Sequence, residues 1–244
     1  MNSYKITMNA IVVGATSGIG RELVRQLCKK GYTVGATGRR IDYLNSLKKE
    51  IGDSVVIKEM DVSKPEFATN NLTELISDLG SVDLIIISAG LLLWNSELDL
   101  EKDLDVIAVN VIGFTAIANF SINYFIKQKK GHLVGISSIS ALRGSGKSPS
   151  YPASKAYMSN YLQGLRKKVF KSKMPITITD IKPGYVKTEM VGDKDSFWMA
   201  SVEEASEQII NIISKKSSNA YVTKKWRLMA WLMKYLPDFI YNRL

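Results

Sequence analysis

Short runs of β-branched and aliphatic residues alternate along the chain with longer amphipathic stretches. Residues 10–13, 33–37, 55–60, 83–88, 132–137, 176–181 and 220–223 have the length and composition of strands. Residues 20–30, 41–51, 66–79, 104–128, 151–171 and 202–215 carry apolar positions three and four apart and read as helices. Pro65 suits a first helical turn, where its missing N–H is no loss, and Gly31, Gly52 and Gly80 stand just past helix ends. Regular strand–helix alternation implies right-handed crossovers and a parallel sheet covered on both faces. The run Leu84-Ile85-Ile86-Ile87 is apolar without a break, as burial on both faces requires. The expected fold is α/β: one doubly wound domain of about seven parallel strands, with helices on both faces.

Composition changes this picture little. At 244 residues the chain is long enough for one large domain and needs no second. Its single cysteine, Cys28, excludes an internal disulfide, and its single histidine, His132, gives no basis for a histidine-bound metal or a Ser-His-Asp triad; no metal is expected. His132 opens an apolar run and reads as a structural residue at a strand end. Residues 1–8 hold no long apolar core, so no secretory signal is expected, and no run is read as reaching the roughly 20 apolar residues of a spanning helix. The reading is cytoplasmic.

Charge does add something. The net charge of +10 would permit binding to nucleic acid or an acidic membrane. Much of the excess sits in residues 215–244, where Lys215, Lys216, Lys224, Lys225, Arg227, Lys234 and Arg243 face only Asp238. No recognised nucleic-acid motif accompanies it, so nucleic acid is not an expected partner.

The chemistry begins at Gly14-Ala15-Thr16-Ser17-Gly18-Ile19-Gly20, between the first strand and the first helix. A parallel sheet holds a phosphate there, at a helix N-terminus whose free N–H groups and partial positive charge favour an anion. Gly14 suits the tight turn, Gly18 lets a phosphate approach the backbone, and Gly20 lets helix and strand pack closely. The second strand ends in Gly38-Arg39-Arg40. A site for NAD usually offers a carboxylate here to the ribose, and a site for NADP offers arginine to the 2′-phosphate. Arg39 and Arg40 therefore point to NADP(H) over NAD(H). Asp61 and Val62, after the third strand, are placed to meet an adenine edge, and Ser88, Ala89 and Gly90, after the fourth, the cofactor's middle.

Tyr151-Pro152-Ala153-Ser154-Lys155 sets a phenol and an amine about one helical turn apart, on one face. Carbonyl reduction by hydride transfer needs a proton for the developing alkoxide. In reverse, a tyrosine near pKa 10 is a reluctant base, and an adjacent ammonium, aided by the charge of an oxidised nicotinamide, is expected to lower that value. General acid–base help of this kind is worth roughly 10²–10⁴ in rate. A second Tyr-x-x-x-Lys, Tyr221…Lys225, lies in the last strand without a nearby serine, whereas Tyr151 follows Ile136-Ser137-Ser138, whose Ser138 is suited to polarising a carbonyl.

Over about residues 8–224 these motifs resemble those of the short-chain dehydrogenase/reductase family. The resemblance implies a Rossmann-type domain over residues 1–224, followed by an amphipathic basic extension over 225–244. It implies an active-site set of Asn110, Ser138, Tyr151 and Lys155, and a Pro183-Gly184 pair after the sixth strand. Lys155 would also hold the nicotinamide ribose, Asn110 would support a water leading protons to Lys155, and Val186 and Thr188 would contact the carboxamide. A homodimer or homotetramer is implied. The chain departs from the pattern at Ile87-Ser88-Ala89-Gly90, where the family often has Asn-Asn-Ala-Gly; the loss of both amide side chains implies altered affinity. The function read is hydride transfer between NADP(H) and a carbonyl or secondary alcohol. The rival is a non-catalytic NADP(H)-binding sensor on the same fold, which the Ser138–Tyr151–Lys155 set argues against.

Trp94, Leu142, Arg143, Tyr185 and residues 190–199 are expected around the substrate, with Met190, Val191, Phe197, Trp198 and Met199 as an apolar lid or as simple packing. Arg143 reads as a surface arginine or as a partner for an acidic substrate group. The tail, with Trp226, Leu228, Met229, Trp231, Leu232, Met233, Leu236, Phe239 and Ile240 among its cations, has the composition of an interfacial helix. Three placements are open for it: an anionic membrane, a second subunit, or the substrate pocket.

Overall fold

The first strand, β1 (Asn9–Val13), enters the sheet between β2 (Thr33–Gly38) and β4 (Leu84–Ile87). β3 (Val55–Glu59), β5 (Gly131–Ile136), β6 (Ile176–Pro183) and β7 (Asn219–Val222) complete seven strands in the order β3-β2-β1-β4-β5-β6-β7. Every pairing is parallel. The expected α/β architecture is present, and the computed structural model describes residues 8–190 and 198–243 of it.

Strand alternation divides the core. Ala10 and Val12 face a layer built on α1 (Gly18–Lys29), α2 (Ile41–Ile51) and α7 (Val202–Ser214), with Leu23, Leu44 and Ile209 fully buried. Ile11 and Val13 face the opposite layer, α3 (Pro65–Leu79), α5 (Phe114–Gln128) and α6 (Ser150–Ser172), through Leu72, Ile117 and Leu162. Strand order reverses between β1 and β4, so their carboxyl ends open a crevice where ligands bind in such sheets.

The helical run expected at 104–128 differs in detail. It starts earlier, at α4 (Leu100–Ile107), because the Asp99 carboxylate accepts a hydrogen bond from Glu101 N at 3.0 Å and caps it. Between α4 and α5, residues Ala108–Gly113 form a π-helical turn. The whole run, Leu100–Gln128, is long and apolar enough to cross a bilayer, contrary to the sequence expectation. Half of its most apolar stretch is buried in the body. After β7 the chain continues as α8 (Lys224–Tyr235) and α9 (Asp238–Tyr241). His132 is a structural residue, its imidazole buried and bonded to Thr179 Oγ1 at 2.8 Å.

Candidate active site

One cleft at the carboxyl ends of the strands gathers nearly all the expected residues. Its walls are Gly14, Thr16–Gly20, Arg39, Arg40, Val62, Ser88–Gly90, Ser138, Tyr151, Lys155, Pro183, Gly184, Val186 and Thr188. Met190, expected in the apolar lid, lines it as well, and so do Met60, Val109, Ile136, Ser137 and Glu189, which were not singled out from sequence. Asp61 and Asn110 do not line it. The Asp61 carboxylate is turned toward Ser63, accepting from its N at 3.0 Å and its Oγ at 2.7 Å, as in an Asx turn. Val191 and Phe197 lie outside the described residues.

The glycine loop is built for close approach. Gly14 has φ +89°, and a Cβ there would stand 2.5 Å from Ala89 N; a Cβ at Gly20 would overlap the Gly14 carbonyl oxygen. Backbone thus fills the space that side chains would take. The first residue before α1, Ser17, makes no side-chain cap, so the helix N–H groups face the cleft without a hydroxyl on them. Arg40 lies across this loop: its guanidinium donates to Thr16 Oγ1 at 3.0 Å and Ser17 Oγ at 2.6 Å, and stacks over Tyr43 at 4.3 Å. It also pairs with Glu189 at 3.1 Å, an exposed contact worth about 0–1 kcal/mol. A Cβ at Gly38 would meet Thr16 Cγ2 at 2.5 Å, so an acid there has no room unless Thr16 moves. The cradle, the helix end and the arginine together fit a phosphorylated dinucleotide.

The catalytic candidates meet on the other wall. α6 takes Pro152 in its first turn, where the missing N–H is harmless, and this sets Tyr151 and Lys155 on one face. Ser138 is extended, accepts from Ser140 N at 3.1 Å, and hydrogen-bonds the Tyr151 phenol. Lys155 is buried, donates to Ile136 O at 3.1 Å, and stands 5.6 Å from the Tyr151 ring centre. Burial pushes the Lys155 ammonium down to about 8, partly opposed by the Asp180 carboxylate. Burial also pushes Tyr151 up to about 12, with the Ser138 hydrogen bond acting against it and Tyr185 adding to the rise. The expected lowering of the phenol by the ammonium is therefore not what the protein alone produces; desolvation is the larger effect.

Asn110 sits in the π turn, fully buried behind the cleft. Its Oδ1 accepts from Leu91 N and its Nδ2 donates to Leu91 O, both at 2.8 Å, and Nδ2 also donates to Ser154 Oγ at 3.0 Å. Ser154 in turn donates to Tyr151 O at 2.7 Å. Asn110 thus ties the loop after Gly90 to the helix that carries Tyr151. Ser154, adjacent to Lys155, was missed because a serine inside a helix looks like an ordinary solvated residue.

A second buried group was also missed. Asp180, mid-strand in β6, accepts from Ser137 Oγ at 2.5 Å and Ser159 Oγ at 2.6 Å, and pairs with Lys182. Ser159 is one turn from Lys155 on α6, so the carboxylate lies under the catalytic wall.

Known proteins share this fold. The sequence profile of the short chain dehydrogenase family matches residues 8–197. The chain belongs to that family. Family membership makes it an oxidoreductase with a nucleotide cofactor site. An uncharacterized oxidoreductase of Myxococcus xanthus is 31% identical over 242 residues, covering 96% of this chain and 94% of its own. Another, from Staphylococcus saprophyticus, is 34% identical over 192 residues, covering 76% of this chain and 81% of its own. Among solved structures, a short chain dehydrogenase from Burkholderia cenocepacia in complex with NADP has a TM-score of 0.83 at 23% identity, covering 98% of this chain and 97% of its own. The closed form of serine dehydrogenase with NADP+ has a TM-score of 0.79 at 24% identity, covering 88% and 94%. At these identities the structural likeness speaks for the fold.

On the substrate side, Tyr185 packs edge-on against Trp226 with ring centres 5.4 Å apart, and Trp198 does so at 5.9 Å. Arg143 faces no open cleft. It donates to Met233 O at 2.9 Å and to Leu236 O, pairs with Asp238 at 2.6 Å, and lies over the Tyr241 ring. Tyr241 OH donates to Gly144 O at 2.6 Å. The tail is fastened to the loop after β5.

Proposed function

We propose that this protein transfers a hydride between NADP(H) and a carbonyl or secondary alcohol carbon of a hydrophobic substrate. The observation that carries the reading is the convergence of Ser138, Tyr151 and Lys155 in the cleft whose other wall is the glycine loop.

A bound nicotinamide supplies or accepts the hydride, and the protein's own residues do the rest. Gly14, Gly18 and the α1 N-terminus would hold the pyrophosphate against backbone. Arg40, with Arg39 beside it, would take the 2′-phosphate, exchanging the weak Glu189 contact for it. Asp61, expected at the adenine edge, has its carboxylate engaged by Ser63 instead. Lys155, beside Gly90, is within reach of a ribose hydroxyl. Ser138 donates to the substrate oxygen, and Tyr151 delivers a proton to it as the alkoxide forms. Its high proton affinity favours the phenol, which is the acid that reduction requires. In the oxidative direction the positive charges of Lys155 and of an oxidised nicotinamide must bring that affinity down before the phenolate can act as base. Val186 and Thr188 would contact the carboxamide, and Met190 on the cleft wall favours a hydrophobic carbonyl.

The test is NADPH oxidation against a panel of aldehydes, ketones and 3-oxoacyl compounds, with NADH and Tyr151→Phe alongside. Turnover that prefers NADPH and collapses in the variant is expected. Tight NADPH binding without turnover across the panel would replace this reading with a sensor.

A further inference from the structure

Helix α8 is apolar on two opposite sides. Trp226 and Ala230 are buried against the body, with Met229 and Met233 half-buried beside them. At about 100° per residue, Leu228, Trp231, Leu232 and Tyr235 form a stripe roughly 180° away from that docked side. All four are exposed, Leu228 at 71% and Trp231 at 61%, and Phe239 (68%) and Ile240 of α9 extend the patch. A helix needs one apolar stripe to pack on its domain. The second stripe does nothing for this fold.

Its surroundings say what covers it. Exposed Lys225 borders one side of the stripe, exposed Arg227 and Lys234 border the other, and exposed Arg243 follows. The only acid in this tail, Asp238, is bound to Arg143. The patch is therefore apolar at its centre, aromatic, and cationic at its rim. We propose that it docks on a bilayer surface bearing anionic phospholipid head groups. Trp231 and Tyr235 suit the boundary between head groups and acyl chains, and the long basic side chains can reach the phosphates while their stems lie along apolar surface. A second copy of this chain fits less well, because a two-fold contact would set the same cationic rim against itself. Twelve residues are too few to span, so the helix lies in the surface.

The docking has a consequence for the proposed reaction, and only this part rests on that proposal. Arg143 and Tyr241 fasten the tail to residues 139–144, beside Ser138. A molecule held by α8 would keep that loop, and the substrate side of the cleft, close to the lipid. A membrane-dissolved apolar carbonyl is then the substrate class.

The experiment is co-sedimentation of the full chain with vesicles of phosphatidylcholine alone, or of phosphatidylcholine mixed with phosphatidylglycerol. Pelleting with the anionic vesicles only is expected, weakening as salt screens the contact. Neutralising Lys225 and Lys234 should lower the partition about fivefold per residue. Trp231→Glu, at an exposed position, should abolish pelleting while Tm and turnover of a short water-soluble carbonyl stay unchanged. Equal pelleting with both vesicle types, or none, overturns the proposal. So does a dimer in solution that Trp231→Glu dissolves, which would give the face to a second copy. Vesicle binding is read without turnover, so it stands or falls separately from the proposed chemistry.

Discussion

Replacing Lys155 with methionine should make the protein both inactive and more stable. The ammonium is only 4% exposed, and burial lowers its pKa from 10.5 to about 8, with Asp180 opposing. The unfolded chain keeps the ordinary value. A difference of about 2.5 units corresponds to about 3.4 kcal/mol against the folded state wherever both forms are protonated. Between pH 8 and 10.5 the unfolded chain binds more protons than the native one, so stability rises with pH across that window; below it the penalty is complete. Methionine matches the length without the charge, but it gives up the donation to Ile136 O, worth about 1 kcal/mol. The net gain at pH 7 is about 2 kcal/mol. For a chain of this size that raises Tm by roughly 4–8 °C. Thermal unfolding followed by circular dichroism, at pH 7 and again near pH 10.5, is the assay. The variant's advantage should shrink as the wild type sheds its penalty. A variant no more stable at pH 7, or one whose advantage ignores pH, would refute the buried-charge reasoning.

Other residues give further tests. Gly20→Ala should lower Tm by an overpacking cost of about 1–3 kcal/mol and abolish NADPH binding by calorimetry, because the new methyl meets the Gly14 carbonyl; undiminished binding would contradict the cradle. Asp180→Asn leaves Lys182 buried and unpaired and should cost about 3–5 kcal/mol in urea unfolding, while adding Lys182→Met should recover most of it. Since Asp180 raises the Lys155 pKa, the pH–rate limb set by Lys155 should sit lower in both variants, a shift that a purely structural role would not cause. His132, whose burial brings its pKa from 6.5 down to about 4, should make stability fall as pH drops between those values, by about 3.4 kcal/mol in all. His132→Gln should flatten that slope in unfolding free energies measured from pH 7 to 4.

The sheet was legible in the sequence because its causes are local: apolar runs of strand length, punctuated by Gly31, Gly52 and Gly80, leave few alternatives to seven parallel strands. The glycine loop was legible for a related reason, since Gly14 and Gly20 are demanded by backbone within a few residues of them or by the adjacent strand end. What stayed hidden depends on distant partners. The π turn at 108–113 adds no residue type that a 3.6-residue period would flag, so the run reads as one uninterrupted helix. Asp180 looks like the solvent side of an alternating strand until Ser137 and Ser159 close over it. Arg143 looks like a surface charge because its partners lie 90 or more residues further along. The rise of the Tyr151 pKa in the protein alone was hidden for an energetic reason: spacing shows the neighbouring ammonium but not how much water the fold removes.

The Arg143 junction joins two parts of the protein that lie far apart in sequence. The loop after Ser138 and the helices after Thr223 share the same guanidinium, so whatever orders one must order the other. Linkage of this kind is reciprocal: if a ligand in the cleft raises the tail's affinity for its partner by some factor, occupation of the tail's outer face raises the affinity for that ligand by the same factor. A truncation after Thr223 would release Arg143 and should be felt first in substrate affinity rather than in the melting of the sheet.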